Sequence, residues 1–80
     1  MISEGEKSRL QVGFKQTVRA LEEEKAEKVY LSEDCAGHMR SRIEDLCAKT
    51  GVQLLYAESM AELGRLCEIE VKASCAVILK

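Results

Sequence analysis

The segment Val12–Val18, which reads VGFKQTV, holds the residue types best suited to binding a ligand. Gly13 stands where a short apolar run gives way to a helical pattern. A helix that starts there presents N–H groups with partial positive charge, which suit phosphate oxygens. Gly13 has no side chain to hinder a close approach, and Gln16 offers the donor and acceptor that can read a base edge.

Helical periodicity divides this segment into two faces. The apolar residues recur at i, i+4 and i+7 and are expected to face the core; they are Phe14, Val18 and Leu21. Lys15 and Arg19 then lie one turn apart on the outer face, with Gln16 beside them. From the residues alone, a solvated polar surface is the commoner explanation, and a ligand-binding helix start is the alternative.

A second candidate is the connection Cys67–Ser74, which reads CEIEVKAS. Ile69 and Val71 alternate there with charged residues, just before a buried strand. Such apolar loop residues either plug the edge of the core or form a small hydrophobic lip for a ligand. The loop pattern by itself favours the plug.

The cysteines and the single histidine do not form a catalytic or metal-binding pattern. Cys35 and His38 have a spacing that metals use, but they supply two ligands at most, and no second pair lies at a recognisable spacing. Cys35 near a helix start would favour a thiolate, but no partner orients it as a nucleophile. Cys47 and Cys75 lie in apolar patterns typical of buried thiols. We predict a non-catalytic protein with no metal and no cofactor.

Composition limits the class of protein. A chain of 80 residues is predicted to form one domain, residues 1–80. Its net charge of −2 is unlike the basic balance of most nucleic-acid binders, unless lysines and arginines gather on one face. One Phe, two Tyr and no Trp argue against an aromatic platform for stacking bases.

The location of the protein is predicted from what the sequence lacks. The first ten residues contain no apolar signal-peptide region, and no apolar run is long enough to cross a membrane. The four cysteines include no C-x-x-C pair. We therefore expect a cytoplasmic protein with reduced thiols and no membrane association.

Helical and strand patterns alternate along the chain. They predict a first helix with a capping box, a short strand, a helix, a strand, a long helix, a strand, a short helix and an apolar last strand. The expected bounds and caps are Ser3 with Glu6, Leu10–Val12, Phe14 to about Glu24, Glu27–Leu31, Ser32 or Asp34 to Gly51, Val52–Tyr56, Ser59 with Glu62, and Ser74–Leu79. This order predicts an α/β fold with a parallel strand–helix–strand crossover and helices on both faces.

Two segments together resemble a known family. VGFKQTVRAL, followed by AESMAELGRLCEIEVKASCAVIL, is similar to the kink-turn RNA-binding ribosomal proteins, the family of archaeal L-seven-Ae and eukaryotic L-thirty-e, and above all to its short bacterial members. The resemblance covers nearly the whole chain. It implies a three-layer α/β/α sandwich with a four-stranded mixed sheet. It also implies non-catalytic recognition of RNA that contains tandem sheared G·A pairs.

The resemblance implies roles for residues at the helix start. In the family, this helix start lies in the major groove beside the G·A pairs. Gly13 would allow close approach of the backbone, Lys15 and Gln16 would contact guanine edges, and Arg19 would reach RNA one turn later. Phe14 stands where a small Thr is usual, and it would either bury in the core or alter the backbone's approach to RNA.

The resemblance also implies roles for the connection before the last strand, which covers the adjoining bulge. Ile69, Glu70 and Val71 would pack on the extruded bulge nucleotide. Glu68 stands where glycine is common, and Lys72, which replaces a small residue or proline, is expected to offset its charge. The implied RNA site comprises Gly13, Phe14, Lys15, Gln16, Arg19, Ile69, Glu70, Val71 and Lys72.

Two functions from different classes follow. The first is a monomeric RNA-binding protein whose partner is a structured RNA with a kink turn, associated with the ribosome or translation. The alternative is a protein-interaction module on the same scaffold, with little or no RNA binding and a partner surface around Ile69 and Val71.

Overall fold

Three strands of the sheet run in one direction, and the fourth runs against them inside the sheet. The computed structural model describes residues 2–80. The elements are α1 (Glu4–Lys7), β1 (Leu10–Val12), α2 (Phe14–Glu22), β2 (Ala26–Ser32), α3 (Gly37–Thr50), β3 (Gln53–Ala57), α4 (Met60–Leu66) and β4 (Cys75–Leu79). The strand order is β1-β4-β2-β3. β4 is antiparallel to both of its neighbours, whereas β2 and β3 are parallel, which confirms the predicted crossover and the mixed sheet.

Helices cover both faces of the sheet, as a three-layer α/β/α sandwich requires. The face under α2 and α3 holds one buried cluster, which includes Leu21, Val29, Ile43 and Val77. The other face, under α4, holds a second cluster with Tyr30, Leu63, Ala76 and Ile78 among its members. The predicted fold class is therefore confirmed. Within residues 2–80, no helix has the length and apolar character needed to cross a membrane.

The apolar last strand is buried on both sides. Cys75, Ala76, Val77 and Ile78 each have 0% of their surface exposed. Their side chains alternate between the two clusters, because successive residues of a strand point to opposite faces. This confirms the prediction that the unbroken apolar run forms a strand covered on both faces.

Several helix ends match their local sequence signals. In α1, the Ser3 hydroxyl accepts a hydrogen bond from the Glu6 N–H at 3.3 Å, and the Glu6 carboxylate accepts one from the Ser3 N–H at 3.0 Å. This is the predicted capping box. Gly51 ends α3 with φ of 73°, the left-handed conformation that glycine adopts most easily. α2 ends at Glu22, two residues before the predicted limit.

The predicted N-caps of the long helix are wrong. Ser32 is the last residue of β2 and is buried, and α3 begins at Gly37 with no side-chain cap. Asp34 instead accepts a hydrogen bond from the backbone N–H of Met60 at 2.8 Å, so it stabilises the start of α4. A cap signal in sequence states only that a side chain can accept such a bond. The fold decides which helix start it reaches.

Acid should weaken one link between α1 and the sheet. Glu6 pairs with Lys28 of β2 at 2.6 Å, and that contact, aided by the Ser3 N–H, lowers the pKa of Glu6 to about 2. Because the folded pKa lies below the unfolded value near 4.5, this contribution to stability is complete above pH 4.5 and is lost as the pH falls towards 2. Urea unfolding at pH 6 and pH 3 should show Glu6→Gln destabilising the protein more at pH 6. An equal effect at both pH values would contradict this.

Candidate functional site

Both predicted segments meet at one end of the sheet. The carboxyl ends of β1, β2 and β3 lie there, and each leads into a helix, so α2, α3 and α4 all begin at this end. β4 enters the sheet at the same place. The Gly13 N–H donates to the Cys75 carbonyl, and the Ser32 N–H donates to the Ser74 carbonyl, each at 2.9 Å. The connection before β4 therefore adjoins the start of α2.

The start of α2 depends on glycine. Gly13 has φ of 123°, which side-chain-bearing residues rarely adopt, and a Cβ there would lie 2.7 Å from Oε1 of Gln16. The Gly13 carbonyl accepts from both the N–H and the hydroxyl of Thr17, at 3.1 and 2.8 Å. No side chain within residues 2–80 caps this helix, and no acidic residue lies in its first turn. Its first N–H groups are therefore open to an external acceptor.

The side chains of α2 are divided as predicted. Leu21 is buried, Phe14 and Val18 pack half-buried against the core, and the outer residues are exposed. Those outer residues are Lys15, Gln16 and Arg19. The Phe14 ring meets the His38 ring edge-on, with 6.5 Å between centroids. The Phe14 ring thus lies against the core, which is one of its two predicted placements.

A concavity lies beside the outer face of α2, and we call it the α2–β1 groove. Its volume is about 400 Å³, and it is lined by Gln11, Lys15, Gln16 and Arg19. Sequence reasoning missed Gln11 as a site residue. The signal was the alternation of Leu10, Gln11 and Val12, which puts Gln11 on the opposite face of the strand from its neighbours. That β1 is an edge strand could not be read from the chain.

The second segment contains one half-buried and one exposed apolar residue. Ile69 is half-buried against the cluster under α4, and its N–H donates to the Gly64 carbonyl at 3.1 Å. Val71, in contrast, is 68% exposed, the most exposed large apolar side chain among the described residues. Glu70 and Lys72 are also exposed. Ile69 thus fits the plug, whereas a role of Val71 in contacting a ligand stays a prediction.

Glu68 has a backbone and a charge partner that explain its position. Its φ is 59°, the left-handed region where glycine is easiest to accommodate, which fits the glycine common at this place in the family it resembles. Its carboxylate forms an ion pair with Lys7 of α1. Lys7, and not Lys72, therefore supplies the cation of this ion pair.

Three of the five cations without an ion pair belong to the two candidate segments. Seven of the twelve Lys and Arg residues form ion pairs with carboxylates of residues 2–80. The five without such a pair are Lys15, Arg19, Lys49, Lys72 and Lys80. Lys15, Arg19 and Lys72 belong to the two candidate segments. A chain of net charge −2 can therefore still present local positive charge to an anionic ligand.

The cysteines lie in packed surroundings. Burial raises the pKa of the Cys47 thiol to about 11, and burial also raises the pKa of Cys67 and Cys75. These three are poor sources of thiolate at neutral pH. Cys35 packs half-buried at the edge of the core, and His38 is exposed in the first turn of α3. Among residues 2–80, no three His, Cys, Asp or Glu side chains are grouped to hold a metal ion.

Fold and site together define a class: mixed α/β/α sandwiches with a glycine-initiated helix beside the loop that enters the last strand. Residues 4–80 match the model of the ribosomal protein L7Ae/L30e/S12e/Gadd45 family. The chain belongs to this family, in agreement with the predicted resemblance. Membership also agrees with the prediction of a non-catalytic protein.

Several similar proteins carry names that describe them as RNA-binding. An RNA-binding protein of Caldanaerobacter subterraneus subsp. tengcongensis is 38% identical over 65 residues, which are 81% of this chain and 79% of that protein. The RNA-binding protein YbxF of Geobacillus stearothermophilus is 33% identical over 69 residues, 86% and 84% of the two chains. Among solved structures, the Giardia lamblia 15.5 kD RNA-binding protein superimposes with a TM-score of 0.77 at 25% identity, covering 91% of this chain and 62% of that one.

The loop before β4 should depend on the absence of a side chain at Gly64. A Cβ at this buried position in α4 would lie 2.2 Å from the Val71 carbonyl oxygen. Alanine normally favours a helix, but here we expect Gly64→Ala to destabilise the protein by about 1–3 kcal/mol through overpacking. Urea unfolding measures this.

Gly5→Ala is the matched control for Gly64→Ala. Gly5 is also helical, but its Cβ would meet nothing within 4 Å, so the variant should be neutral or slightly stabilised. Equal stability of Gly64→Ala and the unmodified protein would show that the loop moves aside at little cost.

Proposed function

We propose that this chain is a non-catalytic RNA-binding protein that recognises kink turns, with its tandem sheared G·A pairs beside the start of α2. The observation that supports this most is the uncapped, glycine-initiated helix start next to the exposed loop before β4. Family membership and the RNA-binding names of the relatives support the RNA partner.

In this proposal the start of α2 both positions the RNA and contacts its bases. RNA phosphates or base acceptors approach the uncapped N–H groups of α2, where Gly13 itself adds no side chain and the Gln16 amide lies alongside. Lys15 and Gln16 contact guanine edges in the major groove. Arg19, exposed one turn further along, reaches the RNA backbone. Phe14 contributes by staying against the core, which leaves the helix start open.

In the proposal, the loop before β4 contacts a nucleotide that protrudes from the RNA helix. Ile69 anchors it to the core, while Val71 presents an apolar surface on which an extruded nucleotide can pack. Glu70 and Lys72 flank Val71 and are exposed to the same partner. Shape and unstacked nucleotides are the features by which proteins usually recognise RNA, so broad positive charge is not required.

The proposal also covers the domain, the oligomeric state, the location and the RNA partner of the protein. We propose that residues 1–80 form one RNA-binding domain, that it acts as a monomer in the cytoplasm, and that its RNA belongs to the ribosome or another part of translation. Because the bent RNA would offer more contacts than the extended RNA, binding would shift the RNA population towards the kink.

Kink-turn recognition is tested by titrating two RNA duplexes. One carries the tandem G·A pairs, and the other has Watson–Crick pairs in their place. We expect the kink-turn duplex to bind at least roughly tenfold more tightly, since each altered base pair in a specific site costs about 1–3 kcal/mol. Fluorescence anisotropy at fixed salt gives both dissociation constants. Equal affinity for the two duplexes would remove the kink turn from the proposal.

Gln16→Ala tests the assignment of base reading. The side chain is exposed, so folding should be unaffected, whereas loss of a base contact worth about 1–3 kcal/mol should weaken kink-turn binding by roughly tenfold. Affinity for the Watson–Crick duplex should hardly change. Thermal unfolding serves as the control for folding. Unchanged kink-turn affinity in a folded variant would show that Gln16 has been assigned wrongly.

The exposure of Val71 also fits the alternative of a protein-interaction module. In that case the loop would be covered by a protein partner or by a second copy. Sedimentation velocity over a range of concentrations distinguishes the two functions. Dimerisation abolished by Val71→Ser, without any RNA affinity, would favour the alternative over the proposed function.

A further inference from the structure

Gln11 faces the same groove as the proposed base-reading residue. Its neighbours Leu10 and Val12 pack against the cluster under α4. Strand alternation therefore directs Gln11 to the other face, where α2 lies. β1 is an edge strand, and α2 leaves Gln11 exposed instead of covering it. The result is a polar side chain that projects beside α2 at the rim of the sheet.

The four side chains of the α2–β1 groove have no partners among the described residues. Within residues 2–80, no hydrogen bond or ion pair involves the side-chain polar atoms of Gln11, Lys15, Gln16 or Arg19. The groove thus offers two neutral amides and two cations from two different elements. Cations suit phosphates, and amides suit base edges, because an amide presents a donor and an acceptor side by side.

The α2–β1 groove adjoins a second concavity. Beyond Arg19 it continues into a smaller concavity of about 260 Å³, which is also lined by Glu23 and Lys25. These two residues form an ion pair at 3.2 Å, so the Lys25 ammonium is less available to a phosphate than the unpaired Lys15 and Arg19. Gln11 lines both concavities and therefore lies beside the unpaired cations Lys15 and Arg19.

We infer that Gln11 is a specificity-determining residue, and that its amide hydrogen-bonds a base edge of the RNA next to the one contacted by Gln16. This inference rests on the proposed function and adds a contact from β1 to a site otherwise built from α2 and the loop before β4. Being neutral, Gln11 acts on the choice of RNA and not on the general attraction to phosphates.

Gln11→Ala tests the inference, with Gln53→Ala as its matched control. Both positions are exposed glutamines on edge strands, but Gln53 lies on β3 at the opposite edge of the sheet. Each variant, with Gln16→Ala and the unmodified protein, is titrated with the kink-turn duplex and its Watson–Crick counterpart at several salt concentrations. Circular dichroism and thermal unfolding show whether each variant is folded.

We expect Gln11→Ala to lose roughly tenfold in affinity for the kink-turn duplex, with little change for the Watson–Crick duplex, since a base contact carries the discrimination. The dependence of affinity on salt should keep its slope, because no phosphate contact is lost. Gln53→Ala should match the unmodified protein in every measurement.

The outcomes separate this inference from the proposed function. If Gln16→Ala loses discrimination while folded Gln11→Ala keeps it, the role of Gln11 is overturned and the kink-turn proposal stands. If Gln11→Ala weakens both duplexes equally, Gln11 is not a specificity residue. If the unmodified protein does not prefer the kink turn, the proposed function and the role of Gln11 fall together.

Discussion

The antiparallel course of β4 through the middle of the sheet is the constraint from which the site geometry follows. β1, β2 and β3 run the other way, so the amino end of β4 lies where their carboxyl ends lie. The connection from α4 must therefore pass over the end of the sheet at which α2 begins. The bond from the Gly13 N–H to the Cys75 carbonyl fixes that meeting. Burial of β4 on both faces holds the whole arrangement in register.

For attracting an anionic ligand, the local charge around the start of α2 matters more than the net charge of the chain. Most cations of the molecule are paired with carboxylates, which leaves few to attract an anion. Lys15 and Arg19 remain unpaired among the described residues and stand on a helix whose first N–H groups are uncapped. Glu68, one of the carboxylates of the loop before β4, is paired with Lys7. A negative total is thus compatible with an attractive site.

Features set by neighbours in sequence were predictable, and features set by the order of strands were not. The Ser3–Glu6 capping box and the Gly51 helix end involve residues close in the chain, so their patterns predicted them. Asp34 has the same capping chemistry, yet it serves the start of α4, which packing brings to it. Gln11 is an ordinary strand residue until the sheet order places β1 at an edge beside α2.

Phe14 is a residue at which local sequence and the packing of distant elements both affect the site. An aromatic residue in place of the usual small one could have blocked the helix start, but its ring packs half-buried against the core and meets His38 edge-on. Because His38 lies in the first turn of α3, this contact joins the starts of two helices that both lack side-chain caps. Rigid support of an open helix start reduces the ordering that a ligand would otherwise have to impose. The substitution thus adds packing beneath the site without closing it.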